Sequence, residues 1–325
     1  MYFCRVTTQI GTSLEEAAYN LKRGLLVGIP TETVYGLAAN ALDETAVQKI
    51  FKVKNRPSFN PLIVHVPSVT HFEKYAYSIP DMCFKLAEAF SPGPLTFVLP
   101  KKQLVPDHTT GGGNSIALRI PNHPVSLALL QLLDFPLAAP SANPSGYVSP
   151  VSAQHVFDQL NGKLPYILDG GNCRVGLEST VISFENNKTK VLRLGGLSIE
   201  HLKEVAKDIE LEINESSNPK SPGQLTSHYA PGVPLILGPI QKLIDQYKGK
   251  KIGILCFGST PKEWNHVGIV KNLSATGDTS EAGSNVFRML RELDRLDLDL
   301  ILAQPIPPTG LGAAVNDRLK RASVK

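Results

Sequence analysis

The chain has 325 residues, of which 42% are hydrophobic and 19% charged, and a formal net charge of +4. That length suits two domains with cores of their own, and the balance is that of a globular chain rather than a disordered or fibrous one. So small a charge excess fits an anionic ligand in one local pocket and argues against wholesale binding of nucleic acid. Cys4, Cys83, Cys173 and Cys256 are far apart and form no C-x-x-C pair. A zinc site or disulfide framework is therefore not expected, and a reducing compartment is. The N-terminal MYFCRVTTQIGTSLEE has no charged stretch followed by an apolar one, and no run approaches the roughly 18 apolar residues of a membrane span. A cytoplasmic location is expected.

Ser13-Leu-Glu-Glu16 reads as a capping box opening a helix that stops at Gly24. Leu25 to Ile29 is a short buried strand closed by Pro30. Asp43 caps a helix with Val47, Ile50 and Phe51 on its apolar face, ending before Pro57, and Leu62 to Val66 is the next buried strand. A helix over 81–90, a Ser-Pro-Gly-Pro turn and a strand over 95–99 follow. Then come a strand over 115–120, a helix over 124–133, a strand over 137–139, a helix capped by Ser152 and a strand over 166–168. A hairpin turns around Asn186-Asn187, between strands 180–184 and 190–194, and a helix covers 198–207. Periodicity then fails in ELEINESSNPKSPGQLTSHYAPG, which reads as a linker. Beyond it, strands at 233–237, 252–257 and 298–302 alternate with helices at 239–247, 280–294 and 312–322, the pattern of a small α/β domain with a parallel sheet.

Chemistry concentrates at element ends, above all in residues 30–66, PTETVYGLAANALDETAVQKIFKVKNRPSFNPLIVHV. Lys54 and Arg56 leave a helix two residues apart. They either reach one polyanion together or complement the negative helix end, and Asn60 places an amide beside them. Ser141 and Asn143, after a short strand in a Pro-flanked loop, either bind phosphate and ribose oxygens or form the turn itself. His65 sits inside the apolar run PLIVHV, as a core residue or as a partner for a carboxylate. Arg119, in SIALRIP, needs an anion, from the protein or from a ligand. Gly111-Gly-Gly113-Asn114-Ser115 offers an anion nest or a flexible turn, and Asp169-Gly-Gly171 to Glu178-Ser-Thr180 a second Gly-rich loop leading to hydroxyls. Arg193, just before Gly195-Gly196, reads as a possible surface charge. The chain has no G-x-x-x-x-G-K-[ST], no strand-anchored G-x-G-x-x-G, no H-E-x-x-H and no G-x-S-x-G, so the common kinase, dehydrogenase and hydrolase devices are missing.

Taken together, PTETVYGL (30–37), KNRP (54–57), NPLIVHV (60–66), SPGPLTFVL (91–99), RIP (119–121), APSANPSG (139–146), EST (178–180) and SPG…HYAPG (221–232) occur in order. The whole chain resembles the two-domain L-threonylcarbamoyladenylate synthase family. The resemblance implies an α/β fold: a twisted mixed-sheet YrdC-like catalytic domain with a basic cavity (1–208), a linker acting as a lid (209–232) and a smaller Rossmann-like α/β domain (233–325). It implies synthesis of threonylcarbamoyl-AMP and pyrophosphate from L-threonine, bicarbonate or CO2, and ATP with Mg2+ held mainly by the phosphates. The product serves the N6-threonylcarbamoyl modification of adenosine 37 in tRNAs reading ANN codons, through separate transfer proteins.

By the same resemblance Lys54, Arg56, Asn60, Ser115, Ser141, Asn143, Ser149, Arg193 and Tyr229 contact ATP, with Lys54 and Arg56 catalytic. Thr33, His65, Arg119, Ala139 and Ser179 hold threonine, and Thr31 and Tyr35 shape the pocket. One departure is Gln224-Leu-Thr-Ser227, where many relatives carry basic or aromatic linker residues. The alternative is a non-catalytic YrdC-like module that binds RNA. A hydrogenase-maturation carbamoyltransferase is disfavoured, because its zinc-finger cysteines and acylphosphatase-like unit are missing.

Overall fold

Short strands rich in small and β-branched residues build the first unit. The computed structural model describes residues 7–186, 188–213 and 229–324. The chain divides into one unit of Met1–Ser145, Pro150–Arg174 and Glu178–Leu225 and a second of Gly146–Ser149, Val175–Leu177 and Thr226–Lys325.

The first unit contains strands β1 (Gln9–Gly11), β2 (Val27–Ile29), β3 (Gly36–Asn40), β4 (Ile63–His65), β5 (Leu95–Pro100), β6 (Ser115–Arg119), β7 (Leu137–Ala138), β8 (Tyr166–Leu168), β9 (Thr180–Glu185), β10 (Lys188–Arg193) and β11 (Ile209–Leu211). They form one mixed sheet in the order β1-β8-β2-β3-β7-β4-β6-β5-β9-β10-β11. The connector expected at 209–232 begins later than that, because Ile209–Leu211 pairs in parallel with β10 as an edge strand. Most of the remaining connector, including Gln224 to Ser227, lies outside the described residues, as do Cys4 and Asn187. Helices Leu14–Lys22 and Pro124–Gln131 cover part of the sheet, burying Ala17, Leu21, Leu129 and Leu130 against Val27, Ile29, Ala38 and Leu137.

Two helix ends bear on the site or on the sequence reading. Ser13 Oγ accepts the Glu16 N–H at 3.1 Å, as a cap should, but Glu16 does not close the box. Its carboxylate accepts from Asn20 Nδ2 at 2.9 Å, and the Ser13 N–H goes to the Tyr166 hydroxyl at 2.9 Å. Helix Glu44–Lys54 starts on Asp43, whose carboxylate accepts the Ala46 N–H at 3.1 Å. It stops at Asn55, which takes φ 51°, the left-handed conformation that asparagine tolerates better than most side chains. That reversal separates Lys54 and Arg56 into different directions around one turn.

The second unit has a parallel sheet of β12 (Leu235–Leu237), β13 (Ile252–Cys256), β14 (Gly268–Asn272) and β15 (Leu300–Ala303), in the order β12-β15-β13-β14. Helices Ile240–Gln246, Thr279–Asp294 and Gly312–Ala322 complete it. Its core joins Ile240, Ile252, Ile254, Trp264, Leu300 and Leu302. Within this unit Arg291 donates to the carbonyl of Ser149 at 3.1 Å and to that of Val148. Tyr229 is buried with φ 64°, an uncommon state for an aromatic residue that only surrounding packing sustains. Its ring stacks on Phe287 at 5.5 Å, and the Arg318 guanidinium lies 4.9 Å from its centroid. Among the described residues no helix is long and apolar enough to cross a membrane.

Candidate functional site

The turn after β2 is locked by one hydroxyl. Thr31 Oγ1 donates to the Val34 carbonyl at 2.6 Å, accepts the N–H groups of Thr33 and Val34 at 3.2 Å each, and lies 2.8 Å from Thr33 Oγ1. This closes the backbone of Thr31, Glu32 and Thr33, all buried, without any help from solvent. Tyr35, fully buried, anchors the other side. Its hydroxyl sits 2.7 Å from the Gly171 carbonyl and 3.1 Å from Asp169 Oδ1, and accepts the Gly170 N–H at 3.2 Å. Burial, more than any neighbour, pushes that phenol far above its ordinary range.

Lys54 ties two of the sequence motifs together. Its side chain is 1% exposed, and Nζ donates to the carbonyls of Ser141 and Asn143 at 2.5 Å each. Burial, and next the Arg56 guanidinium, push the ammonium well below its ordinary value. The Lys54 carbonyl in turn accepts the Ser145 N–H at 2.8 Å, so the Lys-x-Arg exit and the Ser-x-Asn loop are one substructure. Arg56 donates through Nε to the Asn60 carbonyl at 3.2 Å and through Nη2 to the Pro61 carbonyl at 2.9 Å. The Asn60 amide is buried, and neither Oδ1 nor Nδ2 has a partner among the described residues. A buried amide of this kind, on the residue that Arg56 holds, can accept a polar ligand.

His65 and Arg119 face each other in register, because β4 and β6 run parallel with His65 opposite Arg119. Their side chains therefore leave the sheet on the same face. His65 Nδ1 is buried without a partner. Burial, then the Arg119 charge, lowers the imidazole to about 3, so it is neutral near pH 7. Arg119 Nε donates to the Gly93 carbonyl at 3.3 Å, and Nη2 lies 2.8 Å from Glu32 Oε1. The expected anion for Arg119 is thus a protein carboxylate in this state.

A pH dependence follows from His65. Its folded value, about 3, lies below the ordinary 6.5, so the unfolded chain takes up the proton first as pH falls. The group leaves stability unchanged above about pH 6.5 and removes stability progressively from there down toward about pH 3. At about pH 4.5 the protein is expected to have lost about 2–3 kcal/mol relative to a His65→Gln variant, each referred to its own value at pH 7.5. Urea unfolding at both pH values measures this, and parallel profiles would refute it.

The remaining residues approach from β9 and β10. Ser179 Oγ lies 2.7 Å from Thr96 Oγ1 and accepts from Arg193 Nη2 at 3.1 Å. Arg193 also donates through Nε and Nη2 to the Ser179 carbonyl, at 3.1 and 2.8 Å. At 5% exposed it is no surface charge, contrary to that reading of its sequence context. Ala139 joins the same frame: its N–H donates to the Ile63 carbonyl at 3.0 Å. Ser115 opens on a cavity of about 560 Å³ bordered by Phe59, Tyr77, Gly111–Gly113 and Ser183.

The first unit therefore places Thr33, Lys54, Arg56, Asn60, His65, Ser115, Arg119, Ala139, Ser141, Asn143, Ser179 and Arg193 on one sheet and its loops. Ser149 and Tyr229 belong to the second unit. Sequence reasoning passed over Glu32, although a charged residue between two threonines of a Pro-closed turn was the available signal. Among the described residues no three His, Cys, Asp or Glu side chains gather as a metal site.

Comparison with known proteins places the fold in a family. A family profile described as Telomere recombination matches residues 19–195, and one described as Threonylcarbamoyl-AMP synthase, C-terminal domain, matches 197–324. The chain is 43% identical to a threonylcarbamoyl-AMP synthase of Pyrococcus abyssi over 94% of its length and 93% of the relative's. It is 36% identical to that of Bacillus subtilis over 99% and 97%. The crystal structure of P. abyssi Sua5 complexed with L-threonine superposes with a TM-score of 0.89 at 41% identity, covering 98% of this chain and 97% of that one. The chain belongs to the threonylcarbamoyl-AMP synthase family.

Proposed function

We propose that the first unit condenses L-threonine, bicarbonate or CO2, and ATP into threonylcarbamoyl-AMP, releasing pyrophosphate, and that it does so in the cytoplasm for tRNA modification. Separate transfer proteins carry the product to tRNA. The observation that supports this reading best is the Lys54 bridge. It fixes the Lys-x-Arg exit and the Ser-x-Asn loop as one constellation, so a nucleotide's phosphates and ribose meet a preformed set of donors.

No side-chain nucleophile is required. Threonine's ammonium gives up a proton, the free amine captures CO2 and sheds a second proton to become the carbamate, a carbamate oxygen attacks the α-phosphorus, and pyrophosphate leaves from the opposite side. The protein's part is to hold two anions in line, offset their repulsion with Lys54, Arg56 and Arg193, and keep water from the carbamate. Lys54 gives two donors to carbonyls, and once protonated beside a phosphate it has a third to offer it. The cavity beside Ser115, with Phe59 and Tyr77 at its border, is of a size and character to take the nucleotide's base. Threonine occupies the His65–Arg119 end, with Thr33, Ala139 and Ser179 around it. Magnesium, in this reading, arrives with ATP and is held mainly by its phosphates.

Incubation with ATP, magnesium, labelled bicarbonate and threonine should yield a labelled product with the mass of threonylcarbamoyl-AMP, and none when any one substrate is omitted. ATP–pyrophosphate exchange that ignores threonine would sink the reading. A salt-sensitive shift of tRNA without ATP, with no product, would favour an RNA-binding module instead.

A further inference from the structure

Glu32 and Glu178 are the only acidic side chains buried among the described residues, against four buried cations, Lys54, Arg56, Arg119 and Arg193, in the same unit. Glu178 is engaged within the fold. Glu32 is 1% exposed, and among the described residues neither of its carboxylate oxygens has a hydrogen-bond partner. Arg119 Nη2 lies 2.8 Å away yet makes no hydrogen bond either. The separation is that of an ion pair, but the direction is not that of a hydrogen bond. A buried ion pair that serves stability alone satisfies its remaining lone pairs and protons, because desolvation otherwise exceeds the attraction. Of the other groups around Glu32, His123 is held below its ordinary value by burial, and the Cys173 thiol is pushed up, so neither supplies a standing cation. Both charges of the pair therefore retain unused bonding capacity.

We propose that Glu32 and Arg119 together read a zwitterion: Arg119 takes the α-carboxylate of the amino acid, and Glu32 takes its α-ammonium. This deepens the threonine reading above and rests on it. Arg119 alone would accept any small carboxylate. With Glu32 beside it, a monoanion lacking the amine leaves a buried carboxylate without compensation, which a site of this kind rejects strongly. The same carboxylate repels a straying phosphate and keeps the polyanionic nucleotide at the Lys54 end.

Calorimetric titration of the full-length wild-type protein with L-threonine and with 3-hydroxybutyrate, which differs by the missing amine, tests this directly. Threonine should bind about 10–100-fold more tightly. In Glu32→Gln that gap should shrink to about threefold or less, with ATP affinity retained as the check on folding. Equal binding of the two acids by the wild-type protein overturns the proposal without any variant, as does a Glu32→Gln protein that folds and keeps the full gap. Wild-type protein that synthesises threonylcarbamoyl-AMP but fails either arm defeats Glu32 alone. Failure to bind threonine at all removes the underlying site assignment together with the proposal.

Discussion

Replacing Lys54 with methionine should lower synthesis of threonylcarbamoyl-AMP at least about 100-fold and weaken the first unit by about 3–5 kcal/mol. The side chain is 1% exposed and gives two hydrogen bonds to the carbonyls of Ser141 and Asn143. Methionine fills the stem's volume but takes a donor from both carbonyls, of which that of Ser141 keeps the Asn143 N–H at 3.0 Å, and a buried acceptor that loses its donor costs more than a hydrogen bond contributes. Because burial and Arg56 disfavour the charged amine, a phosphate bound as proposed above would have the further effect of restoring that charge. Lys54→Arg should not rescue activity, since the planar fork is too large for so enclosed a position. Product formation and urea unfolding measure the two effects. A Lys54→Met enzyme with wild-type kinetics would show that the bridge is only structural.

The second large effect is expected from Gly195→Ala. A Cβ built there would sit 2.3 Å from the Glu178 carbonyl oxygen and 2.4 and 2.5 Å from the Ser179 carbonyl carbon and oxygen. All three atoms are backbone, so no side chain can swing aside. The strand end carrying Ser179 has to move, and with it the oxygen that receives two Arg193 hydrogen bonds. The expected cost is about 3 kcal/mol or more in stability. Because a displacement of about 1 Å at positioned groups is worth roughly 100-fold in rate, synthesis should fall by at least that factor. Thermal unfolding and steady-state assays would detect both losses. An alanine variant with unchanged melting and turnover would mean that this close approach is not maintained in solution.

Much of the frame was legible because the signals were local. Asp43 opens the helix that delivers Lys54, which stops at Asn55, shortly before the Pro57 read from the sequence as its limit, and the apolar runs around Ile63 and Ile252 are strands. β3, Gly36–Asn40, was not legible: GLAAN has little strand character of its own and is a strand because β2 and β7 flank it. The edge strand Ile209–Leu211 was hidden the same way, since only its pairing with β10 separates it from a connector. At the site, the motifs gave the residue types but not their engagements. Lys54 on two carbonyls, Arg193 on Ser179 and Glu32 on Arg119 join residues distant in sequence, and no spacing rule encodes those pairs.

The second unit is assembled from three separate stretches of chain, 146–149, 175–177 and 226–325. It cannot be excised with a single cut. A fragment starting at Tyr229 would lack Val148 and Leu177, two side chains with no solvent exposure in the intact protein, and would expose the hollows they fill. Such a fragment should express poorly and clump, whereas supplying the missing loops on a grafted peptide or a permuted chain should restore its solubility.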